Sequence, residues 1–209
     1  MTPMEKLPIS VIIPLQEHRR NFFENFCLPL IEANNPSQII IVDGNGSAPQ
    51  KRNWGLKQSN QKYVFFCDDD KQIPKTFLST LHNELIENKD KDIAYAYTNY
   101  IGIILHKEEC PYPGNFQHTA NKWSWDTLKT GNFIDTSSLI EKKYCTGFDE
   151  KLRRFQDWEM WINIYKTYSK TGIYVPQTYF LSYLLDSGIT SNNNPPEESM
   201  QYIRKKHSI

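Results

Sequence analysis

Over its first hundred residues the chain alternates short apolar runs with stretches of mixed polarity. Ile9 to Pro14 reads as a strand closed by proline, and Ile39 to Val42 as a second, closed by Asp43 and a glycine-bearing turn. Between them, Asn21 to Asn34 has the aromatic and aliphatic density of a helix that Pro29 must kink or split. Trp54 to Ser59 gives a short helical link to a third strand, Tyr63 to Cys67. Its Val64, Phe65 and Phe66 carry no polar relief, the pattern of a strand buried on both faces within a parallel sheet. After Pro74, Phe77, Leu78, Leu81 and Leu85 fall at helical spacing, and Ile93 to Tyr97 reads as a fourth strand. This alternation predicts an α/β fold with a mainly parallel central sheet flanked by helices.

The pattern weakens from Gly102 to Lys129, where Pro111, Pro113, Gly114, Trp123 and Trp125 show no period and suggest an ordered loop over a cleft. Trp158, Trp161, Ile162, Tyr165 and Tyr168 then mark an amphipathic helix starting near Asp157. Ile173 to Val175 and Tyr179 to Leu185 read as strands, and Ser191 to Pro196 as a polar linker to a short terminal helix. With 209 residues the chain is expected to form one domain over residues 1–191, followed by a tail over 192–209.

Lys plus Arg and Asp plus Glu both count 24, so no net field draws the chain to nucleic acid or an anionic membrane. No apolar stretch approaches the roughly 18 residues needed to span a bilayer, and Met1 to Pro8 has no signal-peptide core, so the expected location is cytoplasmic. Cys27, Cys67, Cys110 and Cys145 show no close pairing, and the five histidines form no His-x-x-x-His pair. Any metal is therefore expected on oxygen ligands.

The sharpest candidate is the end of the third strand, where Asp68, Asp69 and Asp70 follow the apolar run. In open α/β sheets, ligands sit beyond the carboxyl ends of the strands. Along an extended chain Asp68 and Asp70 share a face, about 6.6 Å apart, with Asp69 pointing away. A hard divalent cation would relieve the mutual repulsion of the three. The competing reading is a solvated acidic turn with Lys71 as counterion.

Taken in order, Ile9-Ser10-Val11-Ile12-Ile13-Pro14, Ile40-Ile41-Val42-Asp43-Gly44, Arg52-Asn53-Trp54-Gly55, Phe66-Cys67-Asp68-Asp69-Asp70 with Pro74, Gly147-Phe148-Asp149-Glu150 and Gln156-Asp157-Trp158-Glu159-Met160-Trp161 resemble family 2 glycosyltransferases of the GT-A fold. The resemblance covers about Ile9 to Ser191. It implies a single Rossmann-like nucleotide-diphospho-sugar transferase domain, with a nucleotide-sugar-binding half over about 1–100 and an acceptor and catalytic-base half over about 101–191, that moves a hexose-type sugar, with inversion, to a hydroxyl of a glycan or lipid-linked acceptor.

The Asp triplet stands where the family has its DXD motif, which implies Mn²⁺ or Mg²⁺ on Asp68 and Asp70, with Asp68 and Asp69 touching the donor. Asp186 stands where many relatives have a histidine near the metal, and is a third implied ligand. Asp157 falls at the position of the general base; its other reading is a helix N-cap. Pro14, Gln16, Asp43, Arg52 and Asn53 match donor-side positions, with a turn aspartate and a surface arginine as the plain readings of Asp43 and Arg52. The expected donor is a UDP-sugar, with GDP or dTDP as alternatives.

The chain departs from the family pattern at three places. The usual Asp-Asp-Gly-Ser is Asp43-Gly44-Asn45-Gly46-Ser47, the usual Thr-Tyr-Asn after Pro14 is Leu15-Gln16-Glu17, and the usual glutamate before the base is Gln156. The first two changes bear on uridine specificity. Trp123, Trp125 and Tyr112 are expected to line the acceptor side or, equally, to pack the loop onto the core. A dinucleotide-binding oxidoreductase is disfavoured because Gly44-Asn45-Gly46 lacks the third glycine and follows the wrong strand. A Mg-dependent nucleotidyltransferase lacks its phosphate loop, for which His18, Arg19 and Arg20 are a poor substitute. A noncatalytic nucleotide-sugar or glycan-binding module on the same fold is the remaining alternative.

Overall fold

A computed structural model of the chain describes residues 5–105, 112, 114–185 and 196–209. Its strands are β1 (Leu7–Pro14), β2 (Pro36–Val42), β3 (Tyr63–Phe66), β4 (Lys71–Gln72), β5 (Ile93–Ile104), β6 (Phe116–His118), β7 (Leu139–Glu141) and β8 (Thr171–Leu184). They form one sheet in the order β2, β1, β3, β7, β5, β8, β4, with β6 paired to β5. β1 runs parallel to β2 and β3, and β5 parallel to β8, whereas β7 and β4 lie antiparallel to their neighbours.

Side chains on β1 and β3 alternate between two apolar layers, as the two-residue period of a strand requires. Ile9, Val11, Ile13 and Phe65 face one layer, and Ile12, Val64 and Phe66 the other. Both faces are thus closed, which explains why β3 has no polar position.

The first layer is covered by α2 (Leu28–Ala33) and α4 (Phe77–Glu87), the second by α6 (Gln156–Tyr168). Before α2, the chain passes through a helical turn, α1 (Arg20–Phe22), and a widened π turn over Phe23–Cys27. Pro29 sits in the first turn of α2, where its missing N–H leaves no bond unmade, so the expected split falls just ahead of it.

Helix α3 (Ala48–Gln58) is longer than the expected Trp54 to Ser59, and starts where the Ser47 N–H donates to Gln50 Oε1 at 2.9 Å. It packs tightly on β1, because a Cβ at Gly55 would lie 2.4 Å from Ile12 Cγ2. That close approach sets the position of Arg52 one turn earlier.

β5 and β8 are also longer than their apolar runs. The two strands read from the sequence after Ser169 are one strand, β8, with a register shift between the pairs Tyr97↔Tyr174 and Asn99↔Tyr179 where Pro176 interrupts the ladder. The aperiodic region contains β6 and a short helix, α5 (Trp125–Leu128). The terminal helix α7 (Pro196–His207) docks on α6, where the buried Glu159 meets Lys206 Nζ at 2.8 Å and His207 Nε2 at 2.9 Å. Lys206 also binds Asp149 at 2.7 Å, tying α7 to the loop that leads into α6.

Candidate functional site

Two cavities adjoin at the carboxyl ends of β1 and β3. One, of about 530 Å³, is lined by Pro14, Gln16, Gly46, Lys51, Arg153 and Gln156 among others. Its neighbour, of about 380 Å³, shares Arg153 and Gln156 and adds Arg52, His118, Asp135 and Asp157. A third, of about 480 Å³, flanks the first and holds Asp43, Asn53 and Trp54.

The Asp triplet does not follow the extended geometry expected of it. The chain turns after Cys67, with the Lys71 N–H donating to the Asp68 carbonyl at 3.2 Å, so the alternation of faces ends there. Asp68 meets Arg52 at 2.5 Å and Lys71 at 3.4 Å. Asp69 and Asp70 share Arg19, at 3.2 and 2.7 Å. Asp69 is buried and also accepts the Gln16 N–H at 2.7 Å. Its carboxylate holds in place Gln16, which lines the first cavity, and Arg19.

Lys71 is a counterion of Asp68, as the competing reading had it, but the turn is not solvated around it. It is buried, lies over the Phe180 ring, and binds Asp135 at 2.5 Å and Ser137 Oγ at 3.0 Å. The repulsion within the triplet is therefore met by three of the chain's own cations. Burial opposes the charge on Asp68, yet Arg52 and Lys71 overcome it and hold that carboxyl well below the usual range. Burial, reinforced by Asp68 and Asp69 against the pull of Arg19, pushes Asp70 up to about 7.

Asp157 lies on the second residue of α6. The helix cap is Phe155, held at a left-handed φ of 58°, so the expected N-cap role for Asp157 is not what its position serves. That turn brings Gln156 and Asp157 to the second cavity. Gln156 accepts from Arg52 at 2.7 Å and donates to the Leu152 and Arg153 carbonyls. Burial, aided by the like charge of Asp135, raises Asp157 from 3.8 to about 6, against the Trp158 N–H, the Asn132 side chain and Arg52.

Of the remaining candidates, Pro14 and Gln16 line the first cavity and Arg52 the second. Asp43 lines the third and is half-engaged by Arg20 at 2.9 Å. Asn53 spends its amide on the backbone of Phe148, accepting at 2.8 Å and donating at 2.8 Å, and so fixes the turn at Gly147. It is a scaffold for the loop that precedes Asp157. Asp186 lies outside the described residues. Among the described residues, no three His, Cys, Asp or Glu side chains converge as a metal site.

The loop aromatics divide. Tyr112 lines the second cavity and stacks on Phe116 at 4.2 Å. Trp123 instead donates to the Tyr95 hydroxyl at 2.8 Å, and Trp125 stacks on Tyr165 at 4.8 Å, so both pack the loop onto the core. Sequence reasoning missed Asp135, Arg19, Lys51 and His118. Lys51 is buried and donates to the Leu15 carbonyl at 2.6 Å, fixing the floor of the first cavity.

No family model and no curated protein matches the chain. Solved structures do. The S. aureus TarS 1–349 structure in complex with UDP-GlcNAc is 13% identical, with a TM-score of 0.66 over 97% of this chain and 66% of that one. The same segment in complex with UDP is 15% identical, with a TM-score of 0.60 over 96% of this chain and 65% of that one. GalNAc-T7 with UDP, GalNAc and Mn²⁺ is 12% identical, with a TM-score of 0.53 over 88% of this chain and 45% of that one. The chain thus spans less than two thirds of the length of the TarS segment and under half of GalNAc-T7. At these identities the likeness is one of fold, and the fold is the GT-A fold expected from the sequence.

Proposed function

We propose that the chain is a nucleotide-sugar-dependent, inverting glycosyltransferase. The observation that carries this reading is the pair of joined cavities. The first sits at the strand ends beside Pro14, Gln16 and Lys51, and the second presents a carboxylate raised to about 6 at the start of α6. The solved structures that share the fold hold UDP-GlcNAc, UDP, or UDP with GalNAc and Mn²⁺, which supports a UDP-sugar donor here.

In this mechanism the donor occupies the first cavity and Arg52 turns toward the diphosphate. A hydroxyl in the second cavity attacks the anomeric carbon from the face opposite the leaving group. Asp157 takes the hydroxyl proton as the new bond forms, a step typically worth about 10²- to 10⁴-fold. A carboxyl near 6 is ionised at neutral pH and more basic than an ordinary aspartate, as this task requires.

The residues present fit a divalent cation by charge. Asp70, pushed up to about 7 by burial and by Asp68 and Asp69, is short of positive charge even with Arg19 at 2.7 Å, and the triplet offers only hard oxygen ligands. Asp68 and Asp70 would hold Mn²⁺ or Mg²⁺ through their carboxylate oxygens. The ion would stabilise charge on the departing nucleoside diphosphate. A noncatalytic donor-binding module remains the second reading, favoured by the engagement of the triplet with the chain's own cations.

The test is calorimetric titration of UDP-, GDP- and dTDP-sugars with and without Mn²⁺, on the wild type and on Asp70→Ala. Metal-dependent binding of one nucleotide class, lost in the variant, is expected. Turnover with Asp157→Asn then separates enzyme from binder, because only an enzyme loses transfer while keeping donor affinity. The anomeric configuration of the product, read by NMR, tests inversion.

A further inference from the structure

Asp135 has two oxygens in different circumstances. Oδ1 accepts from Lys71 Nζ at 2.5 Å and from the Ser137 N–H at 2.7 Å. Oδ2 receives no hydrogen bond from any described residue, and the side chain opens onto the cavity that holds Asp157. Lys71 is itself fixed by Ser137 Oγ, so the carboxylate is held by a buried, rigid support.

A second, independent feature marks the same cavity as a ligand site. Arg52 lines it and is buried, and its Nε–H finds no acceptor. A buried donor without a partner is costly and rare in native proteins, and a ligand oxygen is a natural way to satisfy it. On another wall, His118 stacks on Tyr100 at 4.7 Å and 20°, and Tyr100 in turn on Phe180 at 5.4 Å and 20°, so the outer face of the His118 ring is the flat surface beside the polar groups.

We propose that Asp135 is an acceptor-binding residue that takes a hydrogen bond at Oδ2 from the hydroxyl adjacent to the reacting one, which commits the cavity to a sugar or polyol bearing a vicinal diol. This rests on the reading of Asp157 as the base. One hydroxyl of the pair donates to Asp157 and is consumed, while its neighbour donates to Asp135 and fixes the ring. The ring's apolar face lies against His118. The aspartate is suited to this because a carboxylate accepts only, so it selects a donor at that position and rejects an analogue lacking the hydroxyl.

The experiment uses ¹³C-aspartate-labelled protein with UDP present. It is titrated with a panel of methyl glycosides that includes matched deoxy sugars, and read at the carboxyl carbons. A glycoside with a vicinal diol should move the Asp135 and Asp157 resonances together and leave the exposed Asp126 unmoved. Asp135→Asn should weaken that glycoside about tenfold, the loss expected for one charge-assisted hydrogen bond. The deoxy analogue should bind the wild type as weakly as the parent sugar binds the variant.

Because Asp135→Asn also leaves Lys71 without its closest partner, Asp135→Glu provides a second variant. It keeps the charge and displaces the carboxylate, and should lose affinity to a similar extent. The proposal is overturned if no glycoside moves Asp135, or if either folded variant binds with wild-type affinity. Failure of the enzyme reading looks different, because binding and its dependence on Asp135 would persist while no glycoside was ever glycosylated.

Discussion

Asp157→Asn makes opposite demands on stability and activity, and the structure gives a size to both. In the folded chain this carboxyl titrates near 6 instead of 3.8, chiefly because it is buried beside the like charge of Asp135. Two pKa units correspond to about 3 kcal/mol, an upper limit on the cost of keeping the ionised group folded at neutral pH. Asparagine has the same shape and can still accept the Trp158 N–H, which lies 2.9 Å from Oδ1.

The folded-state pKa is raised, so the folded chain binds more protons than the unfolded chain between about 4 and 6. The penalty is therefore absent below the unfolded value and complete above the folded one. Asp157→Asn should gain about 1–3 kcal/mol at pH 7.5, and for a chain of this size 2 kcal/mol is about 4–8 °C in Tm. The gain should shrink to nothing as the pH falls to about 4. Transfer should drop about 10²- to 10⁴-fold above pH 6, where the wild-type base is ionised, and the difference should narrow as the pH falls below that. The measurements are thermal melts and turnover of both proteins from pH 4 to 8. A stability difference that does not vary with pH, or a variant less stable at pH 7.5, would refute the electrostatic argument. A stabilised variant with full activity would move the base elsewhere.

Wild-type turnover should rise with pH through about 6 as Asp157 ionises, and a flat profile down to pH 4.5 would oppose its role as base. Gly55→Ala places a methyl 2.4 Å from Ile12 Cγ2, so it should cost about 1–3 kcal/mol in urea denaturation and weaken UDP-sugar binding by shifting Arg52. Lys71→Met leaves Asp68 and Asp135 without their shared cation and should cost about 3–5 kcal/mol, read in the same denaturation assay. Trp125→Ala should lower stability by about 1–3 kcal/mol through lost packing on Tyr165, with glycoside affinity unchanged by NMR titration.

Much of the fold was legible because the elements near the site have periods that local sequence reveals. β1 and β3 are apolar on every position that two closed faces require, and α6 repeats its large residues at helical spacing. What local pattern missed was length. β5 continues through Thr98, Asn99 and Gly102 because its partner β8 and the added β6 supply backbone hydrogen bonds, and a ladder needs no apolar side chain to persist. α3 was read late because its first turn, Ala48 to Lys51, is specified by the Ser47 and Gln50 cap and by the contact of Lys51 with Leu15, neither of which has a hydrophobic period.

The candidate site was legible as a set of acids and poorly legible as a set of pairs. Adjacent carboxylates at a strand end signal stored repulsion, but the sequence does not say which charges relieve it. Here the partners lie far off in the chain, with Arg19 50 residues from Asp69 and Lys71 64 residues from Asp135. His18, Arg19 and Arg20 look alike in a row, yet Arg19 turns inward to the triplet while Arg20 stays at the surface with Glu17, Glu24 and Asp43. The sequence signal that remained for Asp135 was Asp-Thr-Ser-Ser just before an apolar strand, a cluster that caps and orders its own turn, as the Ser137 N–H and the Ser138 hydroxyl both do.

These pairings also change the argument for a metal. Repulsion among three carboxylates no longer calls for one, since each member of the triplet already meets a cation. The case rests instead on Asp70, which burial and its two neighbours leave short of positive charge even beside Arg19. If Arg52 is drawn to a diphosphate, Asp68 gives up its nearest cation at the moment the donor adds further negative charge. A divalent ion binding with the donor, rather than before it, removes both imbalances together. Mn²⁺ should accordingly bind weakly to the free chain and tightly in the presence of UDP, and calorimetry of the ion with and without the nucleotide would show that order.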